Sequence, residues 1–241
     1  MFLFPVGDPE GVRYRSAPVA TIGLILVNVV MYLLELVVPF PAGYENMVFT
    51  LGMVPMAVHR QLDLAALSGI TSMFMHARED ALFGVLSLHL IGNMIVLWTF
   101  GRRVEDACGP VRFVVFYFTA GLCADLLFIV TAGKDSTVPV IGASGAVAGV
   151  MGAYLVLFPG ARIRTIFWVI VPIPYPITLR AFWYLVPWLI LQLLPALDML
   201  QGYTVGNVAY FGHLGGFLGA LLIFLFLRKD ALYRYITGVD L

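Results

Sequence analysis

The stretch "VIGASGAVAGVMG", residues 140–152, sets one serine, Ser144, in a run of glycine, alanine and valine. A serine hydroxyl is a weak nucleophile until a base takes its proton. A second run of small residues, "AYFGHLGGFLGA" at 209–220, carries a base of the right type, His213. Gly142 and Gly145 in the first run, and Gly212 and Gly216 in the second, let neighbouring backbones come close. Two such helices side by side bring a hydroxyl within hydrogen-bond reach of an imidazole. In that partly dry place a histidine is neutral near pH 7, the form that accepts a proton. A third motif, "HLIGN", places His89 and Asn93 four residues apart, on one helix face. Their donors, with the Ser144 N–H at a helix start, suit the oxyanion that forms on a carbonyl under attack. Glycine runs also serve plain packing, and a His–Asn pair also serves as glue between helices. Spacing alone does not choose between these uses.

The elements that position these residues follow from composition. The 241-residue chain is 61% hydrophobic and 12% charged, with a mean hydropathy of +0.95. Soluble chains are about half apolar and about a quarter charged, so the excess here requires lipid. Formal charge is balanced, which gives no basic surface for nucleic acid. Cys108 and Cys123 form no disulfide framework. The opening "MFLFPVGDPEGVRYRSAPVA" lacks the basic start and long apolar core of a cleavable leader.

A spanning helix needs roughly 20 apolar residues. Six runs qualify, at about 18–40, 85–101, 111–133, 142–160, 181–200 and 206–227. The first two are separated by a long mixed stretch, 41–84. The run "TIFWVIVPIPYPITL" carries Pro172, Pro174 and Pro176. Each proline removes a backbone donor, so the run reads as an interfacial or hairpin-like loop and not a seventh span. With the N-terminus inside, only Arg60, Arg78 and Lys134 of the 14 basic residues fall outside. That bias puts both termini in the cytoplasm and the 41–84 stretch on the other side, where Ser144 begins its helix. The organisation expected is a cytoplasmic segment 1–17, a six-helix domain 18–228 and a cytoplasmic tail 229–241.

Polar groups inside spans are costly and mark function or specific pairing. Besides the residues above they are Asn28, Glu35, Asp125 and Asp198. Glu35 and Asp198 lie near outer ends and read as reaching the interface. Asn28 reads as an interhelix hydrogen bond, and Asp125 as a structural group.

With these motifs in order, each on its own span, the sequence resembles the rhomboid family of intramembrane serine proteases across roughly 18–228. "GASG" is similar to the family's GxSG motif, which would make Ser144 the nucleophile. "HLIGN" resembles its HxxxN motif, with His89 and Asn93 as oxyanion donors. "AYFGHLGGFLGA" resembles its last-helix motif, with His213 as the base. Several features depart from the family pattern, among them an unusually long interval, "REDALFGVLSL", before His89. Gly212 and Ala220 exchange small residues, Ala148 stands where some members stack a Tyr on the base, and the first loop lacks a Trp-Arg pair. "SGITSMFMHA", with His76, resembles the loop's downstream part.

The resemblance implies an all-α membrane protein, a six-helix bundle with a cavity open to the extracytoplasmic side. It implies a Ser-His dyad that cleaves transmembrane-helix proteins within the lipid bilayer, with no metal, cofactor or nucleic acid. It also implies an integral membrane location, read here as a prokaryotic inner membrane. The alternative is a proteolytically inactive relative that binds or escorts transmembrane helices. A channel or transporter would show charge along a path or an inverted repeat, and neither is present.

Overall fold

In lipid a segment must satisfy its own backbone groups, which turns apolar runs into helices. The computed structural model describes residues 2–7, 14–60, 62–78, 81–82, 86–168, 175–201 and 208–237. In chain order, a strand β1 (Phe2–Gly7) precedes the first long helix, α1 (Val19–Val37). The mixed stretch 41–84 folds into α2 (Gly43–Leu51), α3 (Pro55–Arg60), α4 (Leu62–Thr71) and a 3-10 turn at Ser72–Phe74. A minimal hairpin, β2 (Ala81–Leu82) with β3 (Leu86–Ser87), leads into α5 (Leu88–Cys108). Then come α6 (Pro110–Ala132), α7 (Ser144–Leu157), β4 (Arg162–Trp168), β5 (Tyr175–Arg180), α8 (Ala181–Leu200) and α9 (Tyr210–Thr237).

The chain is a helical membrane bundle, as expected. Helices α1, α6, α8 and α9 are each long and apolar enough to cross a membrane. The other two expected spans differ from that standard for separate reasons. Helix α5 has 21 residues but carries His89, Asn93, Arg102, Arg103, Glu105 and Asp106. Helix α7 has only 14 residues, and most of them are buried. A helix that is apolar all round is one enclosed by protein, and α7 packs against α5, α6, α8 and α9.

Several boundaries move. Helix α5 starts at Leu88, where Ser87 Oγ accepts the Leu90 N–H at 3.1 Å, and stops at Gly109, whose φ of +85° ends a helix. It therefore passes the expected end at 101. Helix α9 runs past 227 to Thr237, so residues 229–237 continue it and are not a separate tail. Arg234 on this extension donates to the Asp106 carbonyl at 2.7 Å.

The proline-rich run is a hairpin, β4 with β5, although Pro172 and Pro174 lie outside the described residues. Pro176 sits on β5, an edge strand, where a missing donor is tolerated. Strand β1 adds to the other side of β4, giving the order β1-β4-β5. This sheet connects the end of α7 to the start of α8, at the far end of α7 from Ser144.

The polar end of α5 anchors α1. Glu105, buried, accepts the N–H groups of Ala20 at 2.9 Å and Thr21 at 2.8 Å. These are first-turn donors with no partner in their own helix. Asp106 accepts the Ser16 N–H and hydroxyl, each at 3.0 Å. Asn28 donates to the Leu24 carbonyl of its own helix at 2.8 Å, and its side chain also meets the Tyr117 hydroxyl of α6, the interhelix pairing expected for it.

Candidate active site

Ser144 is the first residue of α7, and the chain reaches it through a tight approach. Gly142 has φ of +119°, a conformation that a side chain resists. A Cβ there would also meet His89 Cε1 at 2.6 Å. The Gly142 N–H donates to the Ser72 carbonyl at 2.8 Å. Met53 and Val140 exchange backbone hydrogen bonds at 3.0 and 2.8 Å. The 41–84 stretch is thus strapped to the segment that carries Ser144, at the same end of the bundle.

Glycines bring α7 and α9 together. A methyl group at Gly216 would run into the Gly145 carbonyl oxygen, and one at Gly152 would meet the Phe217 carbonyl at 2.7 Å. With the backbones this close, His213 Nε2 lies 2.9 Å from Ser144 Oγ. Gly145 itself faces Ala124 of α6, where a Cβ would come within 2.5 Å. Gly212 differs: a Cβ there meets only ordinary contacts, the nearest being Ala209 Cβ at 3.6 Å. Gly216→Ala should therefore cost about 1–3 kcal/mol or more of stability and separate the two side chains. Gly212→Ala should stay within about 1 kcal/mol of the parent. Thermal unfolding in detergent checks both; equal losses would contradict the packing described.

The second imidazole nitrogen has a partner that sequence reasoning missed. His213 Nδ1 lies 2.8 Å from Gln192 Oε1 on α8, and the Trp188 ring lies against the imidazole, centroids 6.1 Å apart. Gln192 is the one amide in the 181–200 run, and its burial cost was the signal available. Trp188 and Gln192 are four apart on one face of α8. Both lie beside the His213 imidazole, whereas Ala148 is buried in the core and has no ring to offer.

The remaining polar residues divide clearly. His89, partly exposed, sits against Gly142, two residues before Ser144. Asn93, one turn along α5, is buried with its Nδ2 unpartnered. His76, fully buried, places its ring 5.4 Å from that of His89. Burial pushes the His76 imidazole down to about 3, with the His89 ring adding to the effect, so His76 is neutral at physiological pH.

Asp125 is buried with one carboxyl oxygen unpartnered. It lines a cavity of about 20 Å³ with Ser144, Gly142, Gly145, Gly212 and His213. That is room for about one water. Both ring nitrogens of His213 are already engaged, by Gln192 and Ser144, and no bond joins the imidazole to Asp125. Glu35 does not reach the interface as expected. It is 5% exposed, held under the folded 41–84 stretch with its carboxylate 3.5 Å from the His76 N–H. Asp198, at the other expected outer end, is exposed.

The family model "Rhomboid domain" matches residues 65–230. Rhomboid protease GluP of Bacillus subtilis is 30% identical over 134 residues, 54% of this chain and 22% of that protein. Rhomboid protein 1, mitochondrial, of Saccharomyces cerevisiae is 29% identical over 149 residues, 55% of this chain and 43% of that protein. The human presenilin-associated rhomboid-like protein, mitochondrial, is 34% identical over 82 residues, 33% of this chain and 21% of that protein. The chain thus spans less than half the length of these curated relatives. Two of them are mitochondrial, so the expected prokaryotic membrane gains no support from them; an integral membrane location does. The family match covers α5 to α8 and most of α9, the helices that carry Ser144, His213, His89 and Asn93, and the chain belongs to the rhomboid family.

Proposed function

We propose that the chain is an intramembrane serine endopeptidase that hydrolyses peptide bonds in or near transmembrane segments of membrane proteins. The observation that carries this reading is the 2.9 Å bond between Ser144 Oγ and His213 Nε2, beside a water-sized cavity. His213 Nε2 takes the hydroxyl proton as Oγ attacks the carbonyl carbon. Negative charge develops on the carbonyl oxygen. The Ser144 N–H, at the positive end of α7, meets it together with donors from His89 and Asn93. The tetrahedral intermediate collapses as His213 gives its proton to the leaving amine. A water then repeats the sequence on the acyl-enzyme, His213 again acting as base.

A peptide bond inside a helix is poorly exposed to attack, so the substrate helix must unwind at the cut. Small and helix-weakening residues lower that cost. The excess of Lys and Arg around the termini puts both termini in the cytoplasm and the Ser144 end outside. An inactive helix escort has no use for an imidazole held against a hydroxyl.

The test is cleavage of a single-span model substrate, with small residues near the outer end of its span, in liposomes. Mass spectrometry should map one cut to the outer half of the span. A cut confined to the half nearest the termini contradicts the orientation, and no cut contradicts the activity.

A further inference from the structure

We propose that Gln192 is the positioning residue of the base: its side-chain carbonyl accepts the Nδ1–H of His213 and holds the imidazole in the tautomer that presents a bare Nε2 to Ser144. The proposal rests on the acyl-transfer reading above and adds a third, uncharged member to it.

A neutral imidazole has one N–H and one lone pair, and the hydrogen bond at one nitrogen decides which is which. An amide oxygen only accepts. With Gln192 Oε1 2.8 Å from Nδ1, the proton sits on Nδ1, and Nε2, 2.9 Å from Ser144 Oγ, is free to take the hydroxyl proton. The reverse amide orientation would place the amide NH₂ against Nδ1. That would move the ring proton to Nε2, where it blocks the reaction. The α8 backbone disfavours this orientation. Gln192 Nε2 lies 3.5 Å from the Trp188 carbonyl, and flipping the amide would set two oxygens against each other.

Gln192 is 9% exposed, so water competes little for the bond. The Trp188 ring, one turn back on the same face of α8, limits the tilt of the imidazole. When His213 takes the proton, the amide oxygen still accepts from Nδ1 and orients the imidazolium without a counter-charge. The titratable groups near His213 are Asp125 of α6, which lines the same cavity, and His89 of α5. Among the described residues, Ser144 and the amide and indole of α8 also meet it.

The test is kcat, KM and the pH–rate profile of the reconstituted full chain on a single-span model substrate. It compares the parent, Gln192→Met, Gln192→Glu, Asp125→Asn and Ser144→Ala. Gln192→Met keeps the length and loses the acceptor. It should lower kcat by about 10- to 100-fold, the range for a lost hydrogen bond to a charged group, with KM little changed. Gln192→Glu keeps the acceptor and adds charge. It should restore most of kcat and move the acidic limb of kcat/KM to higher pH by about 1–3 units, because a carboxylate favours the imidazolium.

Asp125→Asn should leave that limb in place; a limb moved by this variant assigns the role to Asp125 and overturns the proposal. Parent-like kinetics in Gln192→Met, or an unmoved limb in Gln192→Glu, also overturns it. If Gln192→Met fails to fold, the limb of Gln192→Glu decides alone. Undiminished cleavage by Ser144→Ala instead overturns the acyl-transfer reading on which the proposal rests.

Discussion

Ser144→Ala and His213→Ala should each lower cleavage by about 10⁴- to 10⁶-fold, and the double variant should be no slower than the worse single one. A nucleophile and its base act as a unit, so removing either removes the covalent route and the second loss costs little more. Residual turnover over water then comes from the oxyanion donors and substrate binding. The fold should survive. Ser144 is partly exposed at a helix start, and its alanine variant loses one hydrogen bond, worth about 1 kcal/mol. Cleavage of a single-span substrate, run beside thermal unfolding in detergent, separates lost chemistry from lost fold. A folded Ser144→Ala protein that cleaves at the parent rate contradicts the assignment.

The next largest effect is expected at Asn93. Its Nδ2 is buried and has no partner among the described residues, a cost that makes sense for a donor waiting for charge. Asn93→Ala should lower kcat by about 10²- to 10³-fold, the usual cost of one oxyanion donor. KM should change little, because the donor acts on the transition state more than on the bound helix. His89→Ala should resemble it in kcat and also loosen the approach to Gly142, which packs on the imidazole. A loss confined to KM at Asn93 would assign that residue to substrate binding.

Much of this arrangement is legible in the chain because the physics behind it is local. The 181–200 run matches α8 because a largely apolar stretch bounded by Arg180 and Gln201 leaves little freedom at its ends. Three prolines within five residues, at 172, 174 and 176, disfavour a continuous helix there, unlike the widely spaced Pro187 and Pro195 that α8 accommodates. The Ser144 and His213 motifs carry their own glycines, so their close approach can be read from spacing.

What escapes is what depends on partners distant in the chain. Strand β1 forms because β4 offers an edge more than 150 residues away, and "FLFPVG" by itself gives no sign of it. Glu105 and Asp106 look like the hydrophilic end of a span, and only the position of α1 turns them into its caps. Glu35 looks able to reach the interface until the 41–84 stretch folds over it. Gln192 is visible as an amide in an apolar run, yet its meaning depends on α8 lying beside α9. The contact between Gln192 and His213 therefore had to be seen in three dimensions.

The most direct measurement of the central claim is covalent labelling of the purified protein with a fluorophosphonate probe, followed by peptide mapping. Only a serine made nucleophilic by a base reacts readily at its hydroxyl. The modified residue should be Ser144, with labelling lost in Ser144→Ala and strongly reduced in His213→Ala although both variants remain folded. Labelling that persists in folded Ser144→Ala, or that is as fast in His213→Ala as in the parent, would contradict the account.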